Sequence, residues 1–270
     1  MANGNNGFSP SGNHLGVNLG FTRFLFVIAR DEDAVASRIR TAGGLIARGF
    51  FNDFDADGSK ETPPHETIQF LVAEETPESG TPGVPGARYA VQVCGKYRPR
   101  LLEVEMELRR RLGDAADVLA IEGAERNPRY SSLELYDYAN KRALPRSSGR
   151  TSRRAFVLPM SKSSAWWDKP ALDRHAYFYP HVDQASGCPV SGHARAAHAG
   201  ISTIFRRLFH NPDGYGRDGE YDFVTYFECT DEHVDTFDQV HAALRDTTRN
   251  PEWQFVIEGP LWRGIRVLKW

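Results

Sequence analysis

The stretch Thr203-Ile-Phe-Arg-Arg-Leu-Phe-His210, followed by Asp222-Phe-Val-Thr-Tyr-Phe227, decides how the second half of this chain folds. Both runs are short and rich in aromatic and β-branched residues. A segment of Pro, Asp and Gly separates them, which predicts two strands joined by a long hairpin loop. The next segment, Thr230 to Thr247, carries apolar residues at helical spacing behind an acidic first turn, which predicts a helix with one buried face.

The same order of elements is predicted in both halves of the chain. In the second half, a strand at 155–159 and a helical region ending near Gly200 precede this stretch, and a last strand lies between 253 and 270. The first half is predicted to contain strands at 23–29, 67–73, 89–94 and 117–122, with helices at about 31–45 and from Pro99 to Leu112. The order strand–helix–strand–strand–helix–strand is ferredoxin-like. Each half leaves one face of its sheet uncovered, and the two faces can bury each other by packing sheet on sheet. We therefore predict an α+β fold in which two ferredoxin-like halves form a dimeric α+β barrel within one chain.

Three regions follow from this reading of the 270 residues. Residues 1–20 are rich in Asn, Gly and Ser, which predicts a flexible N-terminal arm. Residues 21–150 form the N-terminal ferredoxin-like half, which ends in a linker at 142–150. Residues 151–270 form the C-terminal ferredoxin-like half and contain the candidate site residues.

Composition excludes several classes of function. A formal net charge of −2, without a basic cluster threaded by aromatic residues, predicts no nucleic-acid partner. Three cysteines without a CxxC motif predict neither a disulfide framework nor a zinc site. No apolar run approaches the roughly 20 residues that cross a bilayer, and no secretory signal is evident. We therefore expect a cytoplasmic protein without a membrane partner.

Two positions, one before this stretch and one within it, carry basic residues that are candidates for chemistry. His193 lies on a predicted helix that begins at Gly192, with the small residues Ala197 and Gly200 on the same side, which would leave room for a flat ligand. A helix-start histidine without a ligand is the alternative. In the strand that follows, Arg206 and Arg207 point to opposite faces, so one of them points inward or lies on a pocket wall. An inward guanidinium requires an anion or a salt bridge, and both remain open.

Four motifs, in this order, resemble those of the chlorite dismutase family. They are Pro159-Met-Ser-Lys-Ser-Ser-Ala-Trp-Trp167, His193, Phe205-Arg-Arg-Leu-Phe-His210 and Asp222-Phe-Val-Thr-Tyr-Phe-Glu228. The resemblance implies haem b, with His193 as the iron ligand and Arg206, thirteen residues later, as the catalytic residue. It further implies a homo-oligomer, with a pentamer favoured, and conversion of chlorite to chloride and dioxygen. The implied cofactor contacts are His193, Leu158, Lys162, Trp166, Trp167 and Ile204. On the residues alone, packing remains the alternative role for the two tryptophans.

Departures from the family pattern qualify this resemblance. Leu158 replaces the reactive tyrosine of the related coprohaem decarboxylases, and Arg206 replaces their usual glutamine, so both point to the chlorite-degrading branch. The family's carboxylate beside the proximal histidine aligns near Arg249 and Asn250, and Glu252 is the nearest carboxylate in this chain. Insertions at 174–190 and 212–219 flank the pocket elements. They favour the alternative of a remodelled haem pocket for a peroxide or an organic N-oxygenated substrate. A non-catalytic haem-binding protein is a third alternative.

Overall fold

The computed structural model describes residues 18–56, 58, 66–74, 86–126, 143–179, 181–182, 187, 189–190 and 192–270. Most of the predicted arm at 1–20 lies outside these residues, but its last part belongs to the first strand, which begins at Asn18. The sequence also offers Ser191 as a cap for the helix of His193, but Ser191 lies outside the described residues.

The N-terminal half has the predicted order of elements. Asp31 caps the first helix by accepting a hydrogen bond from the Ala34 amide at 3.0 Å, as the acidic start of that segment predicts. Besides the main strands, a two-residue strand follows the first helix. The elements are β1 (Asn18–Ala29), α1 (Glu32–Ile46), β2 (Phe51–Asn52), β3 (Thr67–Ala73), β4 (Ala87–Gly95), α2 (Arg98–Leu112) and β5 (Ala116–Arg126).

The C-terminal half repeats this order with additions between its first strand and its second. The predicted helical region consists of three short helices and a two-stranded hairpin rather than one helix. The elements are β6 (Arg154–Lys162), α3 (Ser164–Trp167), α4 (Ala171–Ala176), β7 (His181–Val182), β8 (Pro189–Val190), α5 (Gly192–Ala196), β9 (Phe205–His210), β10 (Phe223–Cys229), α6 (Val234–Arg245), β11 (Val256–Glu258) and β12 (Trp262–Val267).

Eight strands close into an antiparallel barrel. Their order is β10-β9-β5-β1-β4-β3-β12-β6, and β6 pairs back to β10, so each half keeps the ferredoxin-like order of four strands. The halves are joined by hydrogen-bonded pairs between β3 and β12 and by one pair, Ala124 with His210, between β5 and β9. The predicted α+β barrel is confirmed. Its sheets are continuous through these two seams, whereas the prediction had two separate sheets packed face to face.

Alternation along the strands divides the core into layers. One layer, which includes Leu25 and Val91, packs under α1 and α2 outside the barrel. Another fills the barrel interior with Phe24, Tyr226 and Trp262. In the C-terminal half, the outer face of the sheet meets α6, where Phe156 stacks on Phe237 with ring centroids 3.7 Å apart. This outer face also carries the candidate site.

The predicted linker at 142–150 has a structural role that its polar sequence did not indicate. Arg146 points into the barrel, where its guanidinium bonds Asp53 and Glu228. Arg266 of β12 completes this network, with Nη1 2.9 Å from the second oxygen of Glu228. The side chains of Arg266 and Glu228 have no exposed surface. The segment therefore contributes one of four charges that neutralise each other inside the barrel.

Candidate functional site

The floor of the candidate site is the outer face of β9, β10 and β6. Because directly paired residues share a face, the register aligns three rows of side chains across these strands. These rows are Arg206–Phe227–Phe156, Leu208–Thr225–Leu158 and His210–Phe223–Met160. Arg206 is exposed on this face, while Leu158 is buried in the middle row. The predicted strand alternation that separates Arg206 from Arg207 is therefore observed.

His193, the predicted iron ligand, is held by two charged residues from distant parts of the chain. Its Nδ1 lies 2.7 Å from Oε2 of Glu252, which follows α6 in a 3-10 helix. Lys162, at the end of β6, places Nζ 2.6 Å from Oε1 of the same carboxylate. Glu252 is thus the carboxylate that orients His193, although the family's carboxylate aligns nearer to Arg249 and Asn250. Lys162 supports this carboxylate from the other side.

Electrostatics favour the anionic form of Glu252. Burial alone would raise the pKa of Glu252, but His193 and Lys162 hold that pKa at about 2. Burial lowers the pKa of Lys162, and Glu252 opposes this effect. An anionic Glu252 accepts a hydrogen bond from the Nδ1–H group of His193, which fixes the ring orientation. No described residue hydrogen-bonds the other ring nitrogen, Nε2, so the geometry leaves it available as a metal ligand.

The short helix α5 that carries His193 is seated on the first insertion. The amides of His193 and Ala194 donate to the carbonyls of Tyr177 and Phe178, both at 3.1 Å. The Phe178 ring also contacts the His193 ring, with centroids 5.6 Å apart. Gly192 has a φ of +69°, and a Cβ there would lie 2.5 Å from the carbonyl oxygen of Tyr179. The insertion therefore sets the position of the histidine.

If His193 binds haem, as the resemblance implies, Gly192→Ala is expected to weaken that binding, and it should also destabilise the fold, because it adds a backbone clash to a strained φ. Gly219→Ala is the matched control, since Gly219 has a φ of +74° but open space around it. In each variant, an alanine in the left-handed region destabilises the fold by about 1–2 kcal/mol. Only Gly192→Ala also displaces α5. Thermal unfolding and haem titration of both variants measure the difference. Equal haem affinities would show that the seat of α5 does not control His193.

The two predicted tryptophans have different surroundings. Trp166 is buried, and Lys162 lies over its ring with Nζ 4.3 Å from the centroid. Tyr177 and Phe178 of the insertion contact its edges. Trp166 therefore packs behind the His193 helix and supports Lys162. These contacts favour the packing role that the sequence left open.

Trp167 instead contacts the second insertion. Tyr215 stacks on it with centroids 4.5 Å apart and an interplanar angle of 9°. The Tyr215 hydroxyl also lies 2.8 Å from Nδ1 of His210, at the end of the floor. Asp222 fixes this arrangement by accepting bonds from the Gly216 amide at 2.6 Å and from the indole of Trp167 at 3.3 Å. The insertion therefore closes one end of the site with an aromatic ring.

Three further residues named in the sequence analysis, Ile204, Ala197 and Gly200, are packed against neighbouring side chains. Ile204 is buried at the other end of the floor, against Phe156 and Phe237. Ala197 and Gly200 do not border an open space beside His193. Ala197 packs against α6, and a Cβ on Gly200 would lie 2.8 Å from Ile204. Their small size is explained by close packing of the backbone, and the expectation that they make room for a flat ligand was wrong.

Sequence reasoning missed three residues that shape the site. Phe178, Tyr215 and Asp222 were seen only as parts of insertions or of a strand motif. The insertion at 212–219 offered one weak signal, a single aromatic residue, Tyr215, between two glycines. Nothing in the sequence paired Tyr215 with Trp167, because this contact depends on the turn that Asp222 fixes.

Two kinds of feature are absent from the described residues. No helix in the described ranges is long and apolar enough to cross a membrane. Within the same ranges, no group of three or more His, Cys, Asp and Glu side chains is placed to hold a metal ion. Fold and site together define a double ferredoxin-like barrel with a His–Glu–Lys chain beside one sheet.

Several solved structures share this fold. No protein-family model and no curated protein sequence matches the chain. A tryptophan variant of chlorite dismutase from Candidatus Nitrospira defluvii matches with a TM-score of 0.65 and 18% identity, covering 93% of this chain and 92% of that one. The same enzyme with imidazole gives 0.64 and 17%, over 93% and 92%. The chain has the chlorite dismutase fold with a strongly diverged sequence, which confirms the predicted resemblance at the level of the fold.

Proposed function

We propose that the chain binds haem b through His193 and acts as an oxidoreductase on a small anionic oxidant such as chlorite, with Arg206 as the catalytic residue. One observation carries the proposal. A buried carboxylate bonds Nδ1 of His193, and no described residue bonds Nε2. This donor set fits an iron with a single histidine ligand. The chlorite dismutase fold supports the choice of cofactor. We further propose a homo-oligomer, with a pentamer favoured, which light scattering tests.

Each residue has a defined task in this proposal. When bound, haem supplies an iron with an open coordination position and the redox chemistry that splits a Cl–O bond. Glu252 accepts the hydrogen bond of the Nδ1–H group of His193 and keeps the ring electron-rich. Lys162 donates to the other oxygen of this carboxylate and holds it in place. The Arg206 guanidinium attracts the anion and stabilises negative charge that develops on its oxygen. The overall reaction converts one chlorite ion to one chloride ion and dioxygen.

The insertions support a second candidate. Tyr177 and Phe178 of one insertion and Tyr215 of the other contact three of the predicted haem neighbours, namely Trp166, His193 and Trp167. A triatomic anion does not require such aromatic walls. They favour a haem enzyme of the same fold that acts on a peroxide or an organic N-oxygenated compound.

Two measurements test these proposals. An absorption spectrum of the purified holoprotein should show haem, and His193→Ala should change that spectrum and weaken haem retention. An unchanged spectrum in His193→Ala would overturn the assigned ligand. Oxygen release on addition of chlorite supports the first candidate. A spectral shift with organic N-oxygenated ligands, without oxygen release from chlorite, supports the second.

Glu252→Gln is expected to lower haem affinity by about 10- to 100-fold, as loss of a carboxylate behind a metal-bound histidine typically does. The iron reduction potential should also rise, because a less electron-rich histidine stabilises the oxidised iron less. Haem transfer to an acceptor protein and spectroelectrochemistry measure the two effects. Glu258→Gln is the control, since Glu258 bonds Trp253 and Arg245 but not His193. An unaltered potential in Glu252→Gln would contradict the assigned role.

A further inference from the structure

A groove beside the last two turns of α1 is lined by basic residues. Its volume is about 440 Å³, and the residues along it are Arg40, Thr41, Gly44, Leu45, Arg48 and Lys269. The three basic residues are exposed, and no acidic residue of the described ranges lines the groove. Arg40 and Gly44 lie one turn apart on the same face of the helix, and Arg48 follows just beyond its end. The groove therefore collects positive charge on a surface that a ligand can reach.

Lys269 occupies the space above Gly44. A Cβ on Gly44 would lie 3.3 Å from Nζ and 3.5 Å from Cε of Lys269, so the lysine side chain lies close against the helix. Glycine inside a helix is less stable than alanine, so this position keeps an unfavourable residue that leaves room for the lysine. Arg40, Lys269 and Arg48 form what we call the basic row, with the lysine ammonium beside the helix turn that separates the two arginines.

The backbone on both sides of Lys269 is anchored. On one side, the Asn52 side-chain amide donates to the carbonyl of Leu268 at 2.7 Å. On the other side, the Trp270 indole donates to the carbonyl of Leu71 at 2.9 Å. Lys269 is therefore held beside α1 without a ligand, which lowers the entropy that binding has to overcome.

The neighbouring charges do not neutralise the basic row. Its three residues form no ion pair with a carboxylate in the part of the chain that the structure describes. Arg100 donates to the carbonyl of Arg48 at 3.3 Å, but its guanidinium engages Glu66 and Glu103, both at 3.4 Å. The acidic first turn of α1 lies about 10 Å or more along the helix axis from Arg40. The negative end of the helix dipole amounts to about half a charge, so the groove keeps a net positive charge.

We propose that this groove binds a small anion that carries two or more phosphate groups in a chain. Arg40 and Arg48 are about 12 Å apart along the helix axis. A single phosphate does not span this distance, whereas a chain of phosphates can engage all three cations of the basic row. The arginine forks donate to two phosphate oxygens at once, and the lysine acts as a point charge between them. The Thr41 hydroxyl is a further donor at the same groove.

Calorimetric titration of the full-length protein with inorganic triphosphate, at low ionic strength and without metal ions, tests this site. The parent should bind one triphosphate per chain, about 10-fold or more tightly than inorganic phosphate, because the single phosphate reaches fewer cations. Binding should weaken as salt is added, since the site is exposed. Arg48→Met and Lys269→Met should each weaken triphosphate binding by about 3- to 10-fold. Arg217→Met is the control, because it removes the same charge from a residue that pairs with Glu220 outside the groove.

Gly44→Ala separates binding from stability. Alanine should raise the melting temperature, because it is the better helix former. Its Cβ should also push Lys269 away and weaken triphosphate binding by about 2- to 3-fold, in keeping with the small contribution of one exposed charge. Higher stability with weaker binding supports the site, and parent-like binding would overturn the role of Lys269 in it.

Three further results would overturn the proposal. The first is the absence of triphosphate binding to the parent at low ionic strength. The second is parent-like affinity in both Arg48→Met and Lys269→Met. The third is an equal loss of affinity in Arg217→Met, which would show attraction by overall charge alone. The groove belongs to the N-terminal half and uses none of the candidate haem residues, so these outcomes are independent of the proposed oxidoreductase activity.

Discussion

Arg206→Ala is expected to lower the rate of oxygen release from chlorite by about 10²- to 10³-fold, the usual effect of removing a donor that stabilises a developing oxyanion. Arg206 is exposed on the outer face of β9, in the row with Phe227 and Phe156, and it faces the side of the sheet that carries His193. Its loss removes a positive charge from this side without altering the His193–Glu252 pair. The haem spectrum of the variant should therefore match that of the parent.

Arg207→Met is the matched control for this prediction. Arg207 is the next residue on the same strand, but it points into the barrel. An oxygen electrode measures the rate of oxygen release in both variants and in the parent. Arg207→Met should retain the parent rate. Arg206→Lys keeps the charge but not the planar fork, so an intermediate rate is expected. A parent-like rate in Arg206→Ala, or loss of activity confined to Arg207→Met, would show that the wrong arginine was assigned.

The sequence predicted the fold because the strands and helices have strong local patterns. The run Thr67–Ala73 was predicted with the bounds that the structure shows. The strand pairs that close the barrel could not be predicted from the sequence. Closure depends on pairs between β3 and β12 and on the single pair Ala124 with His210. These contacts join residues far apart in sequence, and no local pattern encodes which strands meet.

The candidate site was predicted unevenly for a similar physical reason. The opposite directions of Arg206 and Arg207 follow from strand periodicity. Glu252 could be named as the nearest carboxylate, although its bond to His193 required the fold of the 3-10 helix around it. Arg146 could not be found, because its polar segment looks like a linker and its partners come from other strands. Buried charges of this kind are determined by tertiary partners and not by local sequence.

Arg266→Met is expected to destabilise the fold by about 3 to 5 kcal/mol, because it leaves part of a buried ion network without its cation. Arg266 has no exposed side-chain surface and bonds Glu228 at 2.9 Å, Gln69 at 2.8 Å and three backbone carbonyls. Arg263→Met is the matched control on the same strand. Arg263 pairs with Asp238 on the partly exposed outer side, where an ion pair contributes about 1 kcal/mol or less. Urea unfolding of both variants gives the two free energies.

The pH dependence of unfolding distinguishes lost charge pairing from lost packing in the same variant. Burial alone would raise the pKa of Glu228, but Arg146 and Arg266 lower it below its usual range. A lowered pKa in the folded state gives stability that is present above the unfolded value, about 4.3, and lost as pH falls through the folded value. With Arg266 replaced, this pKa rises, so the variant should lose less stability than the parent on acidification. If the two proteins lose equal stability between neutral pH and the acid transition, the cost of Arg266→Met comes from packing, and Glu228 does not depend on Arg266 for its charge.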